Sequence, residues 1–319
     1  MTVALVTGAT GQDGSYLCER LVGEGVEVHA VVEDATAAAP LPWLVGTHPH
    51  AVDLRDGAAL RALVARTAPD EVYNLAGLSS VALSWEEPVL TAEVNAVPVA
   101  ELLQACWELQ ERRGTPVRVV QASSAEIFGT APAPQDERTP VAPTNPYGAA
   151  KAYAHHLVGV YRGLGLAASS CILFNHESPR RPPTFVTRKI TQGAALIARG
   201  ELDRLALGNL DARRDWGWAP DYVDGMVRAA RQDGVDGYGG GDYVLATGVS
   251  RTVRDFVAAA FRAVGIDDWA DLVYSDPRFT RPVDAAESRG DAARARTELG
   301  WRTTVELEEI VARMVAVDR

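Results

Sequence analysis

The chain has 319 residues, is 47% hydrophobic and carries a formal charge of −11 with a pI near 5.1. That length supplies a large core, arranged as one α/β domain or two smaller ones. The acidic balance argues against nucleic-acid or membrane-surface partners, which need basic patches, so an anionic ligand must be met by local Arg, Lys or helix N-termini.

Val3 to Thr7 predicts a strand that runs into Gly8-Ala9-Thr10-Gly11-Gln12-Asp13-Gly14. A helical pattern follows from Ser15 to about Gly23, then a β-rich run from Val26 to Val32. This is a βαβ opening with its glycines at the first strand-to-helix turn. The apolar start at Thr2–Val6 is too short for a signal h-region, and no apolar run approaches the roughly 20 residues of a membrane span. The expectation is a cytoplasmic protein. Glu71–Leu75, Val117–Gln121 and Ala168–Leu173 read as later strands separated by amphipathic helices. Strands alternating with helices predict a Rossmann-type, doubly wound parallel sheet.

Beyond Phe174 the pattern loosens around Pro179, Pro182 and Pro183, and Gly237 to Asp242 predicts a surface turn. Helical stretches at 187–199, 252–264 and 305–318 alternate with short strands. The division expected is 1–174, mainly dinucleotide-binding, and 175–319, mainly a smaller mixed α/β substrate-binding lobe with segments crossing back to the sheet. Cys18, Cys106 and Cys171 are scattered and odd in number, which fits a reducing compartment. The six histidines show no metal-ligand spacing, adjacent His155 and His156 included, so no metal is expected.

Gly8, Gly11 and Gly14 allow a tight turn and close backbone approach to a pyrophosphate, with the next helix's N-terminus facing that charge. Glu33, 19 positions after Gly14, suits an adenosine ribose and repels a 2′-phosphate, which favours NAD. Asp53-Leu54 are expected at the adenine, and Leu75-Ala76-Gly77-Leu78-Ser79 under the phosphates and nicotinamide ribose.

Tyr147 and Lys151 stand one helical turn apart, after Ser124-Ala125-Glu126. An ammonium one turn along lowers a phenol pKa from about 10 toward the range of a useful base. Tyr147 would deprotonate a sugar hydroxyl, with Ser124 positioning it. Once that carbon is a ketone the neighbouring C–H is acidic, and Glu126 could remove it and help expel a hydroxyl as water. Such chemistry oxidises, eliminates and re-reduces with no net change in the cofactor. Two other readings compete. A nucleotide-sugar 4-epimerase or 4-ketoreductase needs no carboxylate at 126. A non-catalytic dinucleotide sensor would have lost Tyr147 or Lys151.

On these residues the chain resembles the extended short-chain dehydrogenases/reductases and, among them, the GDP-mannose 4,6-dehydratases. The resemblance spans nearly the whole length. It includes residues 7–17, Pro69–Leu75 and Asn145–Lys151, and is most specific at Leu173–Arg181, Thr184–Thr191 and Leu207–Gly217. It implies conversion of GDP-D-mannose to GDP-4-dehydro-6-deoxy-D-mannose and water through a bound nicotinamide cofactor. The catalytic set falls on Ser124, Glu126, Tyr147 and Lys151. Cofactor contacts fall on Gly8, Thr10, Gly11, Gln12, Asp13, Gly14, His176 and Arg181, and substrate contacts on Ser80, Glu126, Asn175, Lys189, Arg214 and Arg281. Arginine suits a diphosphate because its fork binds oxygens in pairs and keeps its charge. The family's Ser-Thr-Ser-Glu is here Ser123-Ser124-Ala125-Glu126, and a tyrosine often near the cofactor is Leu90. The arginine- and serine-rich loop that holds a 2′-phosphate and supports tetramers is replaced by Glu33–Ala39. The resemblance thus implies NADP and at least a homodimer, whereas Glu33 favours NAD and the missing loop leaves the tetramer open.

Overall fold

Val3–Thr7 (β1) is apolar and buried almost throughout, the pattern of a parallel strand covered by helices on both faces. A computed structural model describes residues 1–232, 239–279 and 283–319. After β1 come α1 (Gln12–Gly23), β2 (Glu27–Val32), α2 (Ala35–Ala38), β3 (Thr47–Ala51), α3 (Gly57–Thr67) and β4 (Glu71–Asn74). They are followed by α4 (Val81–Glu86), α5 (Pro88–Asn95), α6 (Val97–Arg113), β5 (Arg118–Ser124), α7 (Pro146–Gly163) and β6 (Ala168–Leu173). Next are β7 (Asn175–Glu177), α8 (Val186–Ala198), β8 (Leu205–Leu207), β9 (Arg213–Trp218), α9 (Ala219–Ala230) and β10 (Asp242–Leu245). The chain closes with β11 (Ser250–Thr252), α10 (Val253–Ala263), β12 (Val273–Ser275), β13 (Glu287–Ser288), α11 (Ala293–Glu298) and α12 (Leu307–Ala316).

The main sheet has seven parallel strands in the order β10-β6-β5-β4-β1-β2-β3. Its direction of growth reverses between β1 and β4, the switch point at which α/β sheets bind ligands beyond their strand ends. One face buries Ala4, Val6, Leu17, Leu21, Tyr222, Met226 and Trp301, which come from β1, α1, α9 and the segment after α11. The other buries Leu5, Leu63, Val72, Leu102, Leu109 and Val158 beneath α3, α6 and α7. The fold is the doubly wound α/β class expected.

A second, smaller sheet runs β11-β9-β13, with β7 also on β9; β11 is antiparallel to β9, while β7 and β13 are parallel to it. Its apolar residues join α8, α10 and α12 in a separate core around Ile190, Trp216, Phe256, Phe261 and Ile310. β10, from the second half of the chain, pairs with β6 at the edge of the main sheet. Of the turn expected at 237–242, residues 237 and 238 lie outside the described residues. The helical stretch Pro88–Arg113 differs from expectation. By length and composition it could cross a membrane, but half of its apolar window is buried, and Leu102, Leu103 and Cys106 pack into the sheet face.

Candidate active site

Three close approaches shape the loop after β1. Gly8 has φ +70°, and a Cβ there would sit 2.8 Å from the Ala76 backbone. At Gly14 a Cβ would lie 2.1 Å from the Gly8 carbonyl oxygen. The Thr7 hydroxyl donates to Asn74 Oδ1 and accepts from the Leu75 and Ala76 amides, tying the β1 and β4 ends together. Gly11 caps α1 with no side-chain acceptor, so the first-turn N–H groups stay open at an exposed Thr10-Gly11 surface. That is an anion site by construction, and it fits a dinucleotide diphosphate.

The first turn of α1 is stitched to the segment after β6. Gln12 Nε2 donates to the His176 carbonyl at 3.0 Å, and the Ser178 hydroxyl donates to Gln12 Oε1 at 2.9 Å. Asp13 Oδ2 meets His176 Nε2 at 2.8 Å, while His176 Nδ1 meets the Phe174 carbonyl at 2.7 Å. Burial opposes charge on both partners, yet the pair's mutual field and hydrogen bond win. Asp13 is held below its ordinary pKa and His176 above. Arg181 lies 3.3 Å from the buried Glu177 carboxylate, which also accepts from the Thr187 hydroxyl at 2.6 Å, and its guanidinium covers the Phe185 ring.

The expected catalytic four meet where β5 ends and α7 begins. Ser124 Oγ accepts from the Glu126 amide at 3.2 Å and hydrogen-bonds to Tyr147. Asn145 caps α7 by accepting from the Gly148 amide at 2.8 Å and turns its own Nδ2 to Glu126 Oε2 at 2.7 Å. One side chain thereby fixes the carboxylate to the helix that carries Tyr147 and Lys151. Lys151 is buried; its Nζ donates to the Ala122 carbonyl at 2.9 Å and lies 5.8 Å from the Tyr147 ring centre. The electrostatics differ from the expected lowering of Tyr147. Burial pushes Tyr147 up to about 12, against the Ser124 hydrogen bond, and brings Lys151 down to about 8. Both groups are more fully desolvated than a surface helix pair would be, and desolvation is the largest influence on each. The two clusters feel each other: Asp13 acts on Lys151, and Arg181 on Tyr147.

The remaining expected residues divide by place. Glu33 is exposed just beyond β2. Asp53, beyond β3, is gripped at both oxygens by Arg55, which lowers its carboxyl to about 2. Leu54 packs against the α3 side of the sheet. A cavity of about 640 Å³ lined by Asp53, Arg55, Asp56, Gly57, Glu93 and Val97 opens at this end rather than over Tyr147. Gly77 faces Lys151: a Cβ there would sit 2.2 Å from Asn95 Oδ1 and 3.6 Å from Lys151 Nζ. Ser79 is exposed, and Ser80 caps α4 through the Leu83 amide. Asn175 opens β7, half-buried. Lys189, on α8, stands 3.5 Å over the Phe279 ring. Arg214, on β9, donates to the Ala285 carbonyl and pairs with Asp284. Arg281 lies outside the described residues. Among the described residues no cluster of three or more His, Cys, Asp or Glu side chains could hold a metal. Sequence reasoning assigned no role to Asn145 or Thr7. The Asn-Pro step before Tyr147 carries the N-cap signature that could have found Asn145; nothing local marks Thr7.

The profile of the family described as GDP-mannose 4,6 dehydratase matches residues 5–314. The Arabidopsis thaliana protein named GDP-mannose 4,6 dehydratase 2 is 43% identical over 328 residues, covering 99% of this chain and 86% of its own. The GDP-mannose 4,6-dehydratase of Sinorhizobium fredii is 42% identical over 344 residues, covering 99% of this chain and 96% of its own. Among solved structures, the UDP-glucose 4-epimerase of Thermus thermophilus complexed with NAD superposes with a TM-score of 0.83 at 28% identity over 99% of this chain and 98% of that one. RMD from Pseudomonas aeruginosa, complexed with NADPH, shares the fold with a TM-score of 0.81 at 23% identity, over 99% of this chain and 98% of its own. A family match over residues 5–314 and relatives above 40% identity converge: the chain belongs to the GDP-mannose 4,6-dehydratase family.

Proposed function

We propose that this chain is a hydro-lyase converting GDP-D-mannose to GDP-4-dehydro-6-deoxy-D-mannose and water, with Ser124, Glu126, Tyr147 and Lys151 carrying the chemistry. The supporting observation is Asn145, whose side chain joins the Glu126 carboxylate to the cap of the Tyr147–Lys151 helix. A 4-epimerase or 4-ketoreductase has no use for a carboxylate fixed there.

The glycine loop with Thr10, Gln12 and Asp13, together with Glu33, Asp53, Leu54, Leu75, Ala76, Gly77, Ser79, His176 and Arg181, would hold the dinucleotide. When bound, that cofactor accepts a hydride from the sugar and later returns it. Tyr147 takes the O4 proton while Ser124 aligns that oxygen. Burial resists charge on either partner, so Tyr147 ionises only with the Lys151 ammonium and the Ser124 donor beside it. Glu126 then removes the C5 proton and delivers a proton to the C6 hydroxyl, which leaves as water; the proton held by Tyr147 goes to C5 as the hydride would return to C6, which restores both side chains. Ser80, Asn175, Lys189, Arg214 and Arg281 would grip the nucleotide sugar, so residues 1–174 serve mainly the cofactor and 175–319 mainly the substrate.

Glu33 supports NAD and family membership supports NADP; nucleotide released from purified protein distinguishes them, and finding only NADP would remove the role given to Glu33. Exposed Val89, Val97, Tyr153 and Val160 on α5, α6 and α7 support a homodimer through these helices, to be checked by sedimentation. Three buried free cysteines support the cytoplasm. The deciding experiment is mass spectrometry of GDP-mannose after incubation with the enzyme. Loss of 18 mass units, with no net cofactor reduction, is expected from the wild type and not from Glu126→Gln; a Glu126→Gln enzyme that dehydrates at the wild-type rate overturns the assignment.

A further inference from the structure

His176 is 7% exposed, and both of its ring nitrogens face atoms that can only accept a hydrogen bond, the Asp13 carboxylate and the Phe174 carbonyl. A neutral imidazole has one N–H and would leave one of these contacts lone pair against lone pair. Two donors mean an imidazolium. Carbonyl and carboxylate hold the ring edge-on; its flat face needs another partner.

That partner is Tyr222 of α9. Its ring is 0% exposed and stacks on the imidazole at 4.4 Å between centres and 21° between planes. Parallel pairing of β7 with β9 sets Gly217 opposite His176. A side chain at 217 would strike the tyrosine, since its Cβ would lie 2.4 Å from Tyr222 Cε2. Behind the ring, Trp301 stands edge-on at 5.7 Å, held by its indole N–H on the Asp221 carbonyl. The Tyr222 hydroxyl is buried and has no hydrogen-bond partner among the described residues, so the π face is the part of the residue in use. A cation over an aromatic face, away from water, is attracted by the ring's quadrupole. Among the described residues, other charged groups acting on the pair are Arg181, Glu177, Asp215 and Asp221.

We propose that Tyr222 is a positioning residue that keeps His176 flat and doubly protonated against Asp13, so that a fixed positive charge stands at the α1 N-terminus where a diphosphate binds. The part concerning the diphosphate rests on the dinucleotide reading above. Tyr222 touches neither cofactor nor substrate; it acts through His176.

The test follows the His176 ring by NMR across pH in the wild type, Tyr222→Phe and Tyr222→Leu, with dinucleotide affinity measured by calorimetry on the same samples. In the wild type and Tyr222→Phe the ring stays doubly protonated well above the ordinary histidine value of about 6.5. In Tyr222→Leu its titration falls by about one unit, and dinucleotide affinity above pH 8 drops about tenfold. Should Tyr222→Leu not fold, phenylalanine carrying one to three ring fluorines at position 222 preserves shape while draining the π face, and a stepwise fall in the His176 titration is expected. An unchanged titration in either series overturns the positioning role. A lowered titration with unchanged affinity overturns its link to the diphosphate. A wild type that binds neither NAD nor NADP overturns the cofactor reading and leaves the NMR result to judge Tyr222 alone.

Discussion

Replacing Gly14 by alanine puts a methyl carbon 2.1 Å from the Gly8 carbonyl oxygen and 2.8 Å from Ala9 Cα. Both obstacles are backbone, so no side chain can rotate away. An ordinary contact needs roughly 3.4 Å, which forces α1 back from the loop by more than about 1 Å; overpacking of this kind costs about 3 kcal/mol. At an unfolding entropy of about 2.1 cal/mol/K per residue, that is a fall in Tm of about 4 °C for 319 residues. Gly23, at the other end of the same helix, has nothing within 4 Å of an added Cβ, so Gly23→Ala should gain about 0.5 kcal/mol from the stiffer chain. Calorimetric melting of both variants, with dinucleotide titration of each, is the assay. Gly14→Ala should melt lower and bind more weakly, while Gly23→Ala melts slightly higher and binds as the wild type. Equal melting of Gly14→Ala and wild type would falsify the claim that the loop has no room for a side chain.

Three further outcomes are expected. Asn145→Ala removes the α7 cap and the tie from Glu126 to that helix, costing about 1 kcal/mol in denaturant unfolding and slowing water loss; a variant equal to wild type in both removes Asn145 from the site. Lys151→Met replaces a buried ammonium that donates a hydrogen bond to the Ala122 carbonyl, so activity should fall on the order of a hundredfold while Tm holds or rises, and a clear drop in Tm contradicts this. His29 Nδ1 meets His50 Nε2 at 2.9 Å across β2 and β3, and burial together with neighbouring His48 and Arg66 lowers both pKa values. The unfolded chain therefore binds more protons below about pH 6.5, and stability should fall as pH drops through that value. His50→Phe should flatten that dependence in urea titrations, and an unaltered slope argues against the pair.

Local pattern reached the first half of the fold well. β1, β4 and β6 announced themselves as apolar runs between turn residues, and α8, α10 and α12 as periodic stretches. The pairing of β7, β9, β11 and β13 was not legible, because two- to six-residue strands rich in Arg, Asp and Glu carry no alternation, and their partners are set by tertiary packing. At the site, residue types and spacing named Ser124, Glu126, Tyr147 and Lys151. They could not show the depth of burial, so the expected lowering of Tyr147 gave way to a rise. The role of Tyr222 was beyond sequence reading too, since it depends on Gly217 lying opposite His176 in a register no local signal encodes.

The place of β10 at the edge of the main sheet governs how this chain can be made. A ribosome that has released residue 174 has delivered six of the seven strands, yet Tyr222, Met226 and Trp301, which cover Ala4, Val6 and Leu21, are still untranslated. The nascent first half must therefore wait with an open apolar flank until the polypeptide beyond residue 301 emerges. Fragments ending near 174 should need a chaperone's grip to stay dissolved, and splitting the gene at that apparent boundary should yield two insoluble pieces rather than two working modules.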